Sequence, residues 1–182
     1  MLKSDVLIRL GHLAGASRFK RIIEKLYTDV DKVYKDNNID FKASWFSVYY
    51  VLAKANMPMT ILEITDQIDF SHITVKNILR ELEEEALVLI VPNPHDKRSK
   101  LAVLSAKGKS LKRKLEPVWL SISIALSDVF TSGHPDFSNT LNRIDREIYR
   151  RPIYDRVKTL NNRDKVTVID YRPGLKKAFQ NL

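Results

Sequence analysis

Hydrophobic residues recur at helical spacing along most of the chain. Between Ser4 and Tyr34 they follow one stripe, formed by Val6, Leu10, Leu13, Ile23, Leu26, Val30 and Val33. This spacing predicts a single helix of about twice the usual length. Similar stripes after Ser105 and after Leu141 predict long helices in the C-terminal half, with Pro152 kinking or restarting the last one.

Between these long stripes the predicted elements are shorter and end at clear signals. Residues 43–55 form a largely apolar helix, and Thr60 followed by Glu63 is the capping-box signature of the next one. Ser71 is placed to cap a further helix. Its inward face is formed by Val75, Ile78, Leu79 and Leu82. Two short helices joined by a tight turn predict a helix-turn-helix.

Two β-rich runs follow this predicted helix-turn-helix. Residues 87–91 and 101–104 are apolar, and the polar loop between them contains Asp96, Lys97 and Arg98. The order of helix, strand, basic loop and strand suits a DNA-binding protein. The helix can enter the major groove, and the hairpin can place a cation on the adjacent backbone or minor groove.

Composition narrows the class of protein. The net charge of +9 favours a polyanionic partner, although an ordinary basic protein is the alternative. The absence of cysteine excludes disulfides and thiolate metal sites, and fits a cytoplasmic location. No apolar stretch is long enough to cross a membrane. The four histidines lack metal spacing, and no phosphate-binding loop or nucleophile motif occurs, so we expect no catalytic residues, no metal and no cofactor.

Four short segments resemble the MarR family of bacterial winged-helix transcription regulators. They are the helix start Ser71–Asn77, the helix end Leu82–Val88, the loop Asp96–Ser99 and the segment Leu104–Gly108. The resemblance covers roughly residues 1–160, and its specific part is 60–109. Two departures stand out. Ala86 occupies a position where glycine is usual, so the turn there could differ, and Ile90 replaces a usual arginine that contacts the DNA backbone.

The resemblance implies a mostly α fold with a small β-hairpin wing. The implied architecture is a winged helix-turn-helix in which residues 37–109 bind DNA. The long terminal helices, in 1–36 and 110–160, are then expected to form a homodimer. The implied function is a ligand-responsive repressor that binds pseudo-palindromic double-stranded DNA. One alternative is a winged helix that is used only for protein contacts.

The candidate DNA-binding residues lie on the outward face of the recognition helix and in the wing. They are Ser71, His72, Ile73, Thr74, Lys76, Asn77, Arg80, Asp96, Lys97, Arg98 and Lys100. Asn77 can pair bidentately with adenine, and Lys76 can contact guanine or phosphate. Arg98 suits a minor groove, whereas Asp96 either orients Arg98 or caps the turn. The alternative for the helix residues is an ordinary solvated face.

A small aromatic effector is an expected partner, because the family often binds such molecules. Trp45, Tyr49 and His12 are the candidate pocket residues, although two aromatic residues of a buried helix are more often part of the core.

The C-terminal segment, residues 164–182, is similar to the opening strand and helix of Gcn5-related acetyltransferase domains. This similarity suggests the regulatory N-terminal part of a fusion enzyme. The alternative is an extension that packs on the dimer.

Overall fold

A computed structural model describes residues 5–55 and 57–160 of the chain. The chain divides into two compact units, Met1–Leu126 and Ser127–Leu182. The 164–182 segment, with its similarity to an opening strand and helix, lies outside the described residues.

The N-terminal stripe forms two helices rather than the single helix predicted from the sequence. Helix α1 (Val6–Arg9) ends in a 3-10 turn, Gly11–Ala14, and α2 spans Gly15–Asp36. Gly11 has a φ of +54°, a left-handed conformation that interrupts an α-helix and that glycine adopts without strain. The apolar spacing continues through the turn, which is why periodicity alone missed the break.

The middle of the chain forms the short elements that the end signals predicted. After a 3-10 turn at Ala43–Trp45, the elements are α3 (Phe46–Lys54), β1 (Met59–Thr60), α4 (Ile61–Ile68), α5 (His72–Glu84), β2 (Val88–Pro92) and β3 (Lys100–Leu104). The capping box of Thr60 and Glu63 is confirmed, since each side chain accepts a hydrogen bond from the backbone N–H of the other residue. The winged helix-turn-helix is therefore present as predicted.

The three strands form one antiparallel sheet in the order β1-β3-β2. Val88 pairs with Leu104 and Pro92 with Lys100, so β2 and β3 make the wing hairpin. Strand β1, in which Met59 pairs with Ala102, was not predicted because two residues are too few to show an alternating pattern.

An aromatic cluster centres the core of the first unit. The ring of Phe41 meets those of Tyr34, Trp45 and Tyr49 edge to face, at centroid distances of 5.2, 5.6 and 5.1 Å. Such edge-to-face pairs add specific geometry to a large buried area. The same core also contains Ile64, Val75, Leu82 and Leu115.

Long helices follow the wing. Helix α6 spans Ala106–Gly133 and carries Pro117 inside it. Helices α7 (Phe137–Arg150) and α8 (Ile153–Leu160) flank Pro152, so of the two predicted outcomes, a kink or a restart, the structure shows a restart. Among the described residues, no helix combines the length and apolar character needed to cross a membrane.

Candidate nucleic-acid interface

Helix α5 is the second helix of the helix-turn-helix, and a left-handed residue and an N-cap form the turn before it. Asp69 adopts a left-handed φ of 54° after α4, and Ser71 then takes an extended conformation. The Ser71 hydroxyl accepts a hydrogen bond from the Thr74 backbone N–H at 3.1 Å, which makes Ser71 the N-cap predicted from the sequence. The Ser71 and Thr74 hydroxyls also bond to each other at 2.8 Å.

Helix α5 buries one face and exposes the other. Val75 and Leu82 are completely buried, whereas Ile73 is 71% exposed. We call five of its exposed residues the recognition face; they are His72, Ile73, Lys76, Asn77 and Arg80. The structure therefore places these five candidate residues on one side of the helix, away from the core.

The far end of α5 is anchored by a glutamate whose role the sequence did not reveal. The Trp45 indole N–H donates to the Glu81 carboxylate at 2.8 Å, and the Lys42 ammonium donates to it at 3.1 Å. These hydrogen bonds lower the pKa of Glu81. In the sequence Glu81 belongs to an acidic run at 81–85, and only the tertiary contact distinguishes it from its neighbours.

The wing loop is held by its own side chains. The Asp96 carboxylate accepts a hydrogen bond from the Arg98 backbone N–H at 2.9 Å, and Asn93 accepts one from the His95 N–H at 3.0 Å. The Asn93 amide also donates to the Ser99 hydroxyl at 2.8 Å. Of the two roles considered for Asp96, the structure therefore supports capping of the turn.

The cations of the wing are exposed. Lys97, Arg98 and Lys100 all lie at the surface, and none of them forms an ion pair within the described residues. Lysines of α6 behave differently. Lys107 donates to the Glu85 carbonyl at 2.7 Å, and Lys112 lies 3.7 Å from Glu116. The wing thus offers positive charge to an external anion, while part of the α6 cluster is occupied internally.

Ala86 adopts the conformation expected of glycine, with a φ of 56°. Its N–H donates to the Glu83 carbonyl at 2.8 Å, and the Leu87 N–H donates to the Leu82 carbonyl at 2.9 Å. This pair of hydrogen bonds is a Schellman motif, the usual way to end a helix at a left-handed residue. The turn into β2 is therefore kept despite the alanine, and the altered turn considered from the sequence is not seen.

The segment Leu104–Gly108 locks the wing to α6. The Ser105 hydroxyl accepts from the Gly108 N–H at 2.9 Å and donates to the Ala86 carbonyl at 2.7 Å. A Cβ at Gly108 would lie 2.2 Å from the Leu87 carbonyl oxygen, so only glycine permits this close approach. The Leu104–Gly108 segment therefore fixes the position of the hairpin against α6. From the sequence alone, this segment was recognised only by its resemblance to the family.

The structure places the three candidate effector residues in different surroundings. Trp45 and Tyr49 are buried in the core, where the Tyr49 hydroxyl donates to the Gly108 carbonyl at 2.5 Å. Burial raises the pKa of Tyr49 to about 12. His12 is exposed in the 3-10 turn after α1, and no described contact joins it to either aromatic residue. The core role, considered as the alternative, accounts for the aromatic pair.

Open cavities occur elsewhere in the first unit. One of about 410 Å³ lies between α2 and α6. It is lined by Val33, Asn37, Asn38, Ile39, Lys114, Pro117, Val118 and Ser121.

A search of residues 5–55 and 57–160 finds no cluster of three or more histidine or carboxylate side chains that could hold a metal ion.

Comparison with solved structures gives consistent matches. The S. aureus MepR–DNA complex superposes with a TM-score of 0.62 at 18% identity, covering 73% of this chain and 96% of that chain. A MarR/EmrR family transcriptional regulator from Acinetobacter sp. ADP1 gives 0.60 at 16% identity, covering 75% and 95%. Bordetella bronchiseptica BpsR, described with regulation of its DNA binding by 6-hydroxynicotinic acid, gives 0.51 at 15% identity, covering 71% and 91%. No protein-family model and no curated protein matches the sequence.

Proposed function

We propose that this chain, which has the fold of the MarR-family transcriptional regulators, is a sequence-specific DNA-binding regulator. It binds a pseudo-palindromic operator as a homodimer and represses transcription, and a small aromatic effector releases it. A regulator of this kind acts in the cytoplasm. The recognition helix α5 enters the major groove, and the wing lies on the adjacent backbone or minor groove.

The observation that carries this proposal is the two-sided character of α5. Its inner face is fixed by complete burial of Val75 and Leu82, and its outer face carries exposed hydrogen-bonding side chains. The helix is held at both ends, by the Ser71 cap and by the bond between Trp45 and Glu81. Base recognition requires a rigid helix whose exposed side chains are available for hydrogen bonds to DNA. Binding to such a helix loses little conformational entropy, because the backbone is already ordered.

Base selectivity is assigned to the recognition face. Asn77 is suited to a bidentate contact with adenine, and Lys76 to guanine or phosphate. Ser71 and Thr74 bond to each other, but each hydroxyl retains the capacity to contact a phosphate. Arg80 lies 3.8 Å from Glu84 in an exposed pair, which is weak enough for Arg80 to exchange for a phosphate.

The wing supplies charge rather than sequence information. Arg98 has a planar, permanently charged group that suits a narrow minor groove, and the Asp96 turn holds its backbone. Lys97 and Lys100 contact phosphates. Ile90 takes no part, because it is partly buried against the core where the family usually has an arginine.

Dimerisation is assigned to residues 1–36 and 110–160. Large apolar side chains are exposed on α2 and on α6, including Phe19, Ile23 and Ile124. A second copy of the chain, related by a two-fold axis, would cover them and would place two recognition helices on one operator.

The effector proposal rests on the BpsR comparison, since that protein is described with a small aromatic acid. Its site in this chain is not assigned to Trp45 or Tyr49, which are buried in the core. A fusion to an acetyltransferase remains a prediction that depends on residues 164–182, and no described residue bears on it.

Selection of bound sequences from random DNA tests the proposal. We expect a defined motif, which would separate a DNA regulator from a winged helix used only for protein contacts. Asn77→Ala and Lys76→Ala should relax base preference, at roughly 1–3 kcal/mol for each lost base contact. Arg98→Ala should weaken binding to most sequences and reduce the salt slope by about one phosphate equivalent.

The matched control is Lys32→Ala, which removes one positive charge from α2, where Lys32 pairs with Asp29. It should leave both selectivity and salt slope nearly unchanged. If no motif is enriched, or if the recognition-face variants behave like Lys32→Ala, the proposed docking is wrong.

A further inference from the structure

Ile73 is the apolar member of the recognition face. It is 71% exposed, and its neighbours on the outward side are His72, Lys76 and Asn77. Single exposed hydrophobic residues are common on proteins, so exposure by itself carries little information. The position is what matters. Ile73 is the second residue of α5, at the end of the helix where side chains of this motif reach base edges.

The major groove presents one apolar group among the four bases, the C5-methyl group of thymine. Every other group that it exposes for recognition is a hydrogen-bond donor or acceptor. We propose that Ile73 reads this methyl group and thereby selects thymine at one position of each half-site. The inference rests on the proposed function, because it requires α5 to lie in the major groove.

The placement of Asn77 extends the inference. Asn77 follows Ile73 by four residues, so the two side chains lie on the same side of the helix, about one turn of 5.4 Å apart. Base pairs stack every 3.4 Å along each strand, so this separation corresponds to one or two base-pair steps. Asn77 is suited to adenine. We therefore expect the thymine read by Ile73 and an adenine read by Asn77 to be close together in the half-site.

Uracil provides a direct test, because it pairs like thymine but lacks the methyl group. In a duplex obtained by selection, each thymine is replaced singly by deoxyuridine, and the affinity of the full 182-residue chain is measured. One position in each half-site should lose about fourfold in affinity, the equivalent of one buried methyl group. Ile73→Ala should bind the thymine and deoxyuridine duplexes equally. Because Ile73 is exposed, this variant should fold normally, which far-UV circular dichroism checks.

Lys76→Ala is the matched variant. It removes a neighbouring contact of the recognition face but leaves Ile73 in place, so its affinity should fall while the fourfold preference for thymine remains. A second readout places cytosine or 5-methylcytosine at the same position. The methylated base should bind more tightly than cytosine to the original chain, and the difference should vanish in Ile73→Ala.

The outcomes separate this inference from the proposed function. Absence of any selected motif would contradict DNA recognition itself. Selective binding with no thymine sensitive to deoxyuridine would overturn only the role of Ile73. Methyl sensitivity that persists in Ile73→Ala would also overturn it, since another side chain would then make the contact.

Discussion

The winged-helix region and the helices that flank it differ in how much apolar surface one chain buries. Within residues 37–109 every element contributes to a closed core, and eight of the largest fully buried side chains lie there, including Trp45, Ile64 and Leu82. Helix α2 buries only Tyr34, and α1, α7 and α8 bury nothing. Both regions have clear amphipathic patterns, so the pattern alone does not tell whether a helix packs on its own chain. Helix α6 buries Leu115 and Val118 on its own chain, and we propose that a second copy of the chain covers the apolar faces that the flanking helices leave exposed.

The largest effect should come from disrupting the dimer interface that we propose for the flanking helices. Phe19 and Ile23 are 46% and 47% exposed on α2 and lie one turn apart. Replacing both with aspartate would bury four charges in the dimer interface, which costs several kcal/mol, so the protein should become monomeric. Light scattering at micromolar concentration measures this.

The control for that variant is Thr28→Asp, which adds a charge at an exposed polar position of the same helix. It should remain dimeric. A double variant that stays dimeric would show that this face of α2 is not the interface.

The next effect concerns the closed region. Gly108→Ala would place a methyl group 2.2 Å from the Leu87 carbonyl oxygen, and overpacking of this kind costs about 1–3 kcal/mol. Gly15→Ala is the matched change, because Gly15 lies in α2, where an added Cβ would meet no packed atom within 4 Å. It should be neutral or raise the free energy of unfolding by roughly 0.5–1 kcal/mol. Urea unfolding compares the two, and equal effects would contradict the packing of α6 against the wing.

A smaller effect is expected at the turn into the wing. Ala86 has a left-handed φ, which costs an L-residue roughly 1–2 kcal/mol, so Ala86→Gly should raise the free energy of unfolding by about 1 kcal/mol. Ala125→Gly, at an exposed position of α6, should instead lower it by about 0.5–1 kcal/mol. Destabilisation by both glycines would mean that Ala86 does not end α5 as described.

The smallest effect is a pH dependence at Glu81. The Trp45 and Lys42 hydrogen bonds lower the pKa of this carboxyl from 4.5. Their contribution is therefore fully present above about pH 5 and is lost as the pH falls through the lowered value. Glu81→Gln should flatten the acid side of the stability profile below about pH 5, as measured by denaturant midpoints. Trp45→Phe should flatten the stability profile partly. An unchanged profile in both variants would show that the hydrogen bonds from Trp45 and Lys42 to Glu81 do not stabilise the fold.

Local signals predicted the closed region well. The caps at Thr60 and Ser71 act through contacts three residues away, so the sequence contains the whole interaction. The bond between Trp45 and Glu81 joins residues 36 positions apart, and nothing in the local pattern marks it. At Gly11 the local pattern was misleading. The apolar spacing continues past this residue and predicted one helix, but the left-handed conformation of Gly11 ends α1 there.

The candidate site divides in the same way. The outward position of Lys76 and Asn77 follows from helical periodicity and was predicted from the sequence. The burial of Trp45 and Tyr49 was not predictable from the sequence, because it depends on how distant elements pack. Aromatic side chains suit a pocket and a core equally well, so composition does not distinguish the two.

The mass of the protein–DNA complex on a selected duplex tests the central claim most directly, because it joins the two regions in one measurement. Native mass spectrometry or sedimentation should show two chains on one duplex, and the selected sequence should be an inverted repeat with half-sites about one helical turn apart. A single chain bound to an asymmetric site, or two chains with no sequence preference, would contradict a homodimer that reads DNA through α5.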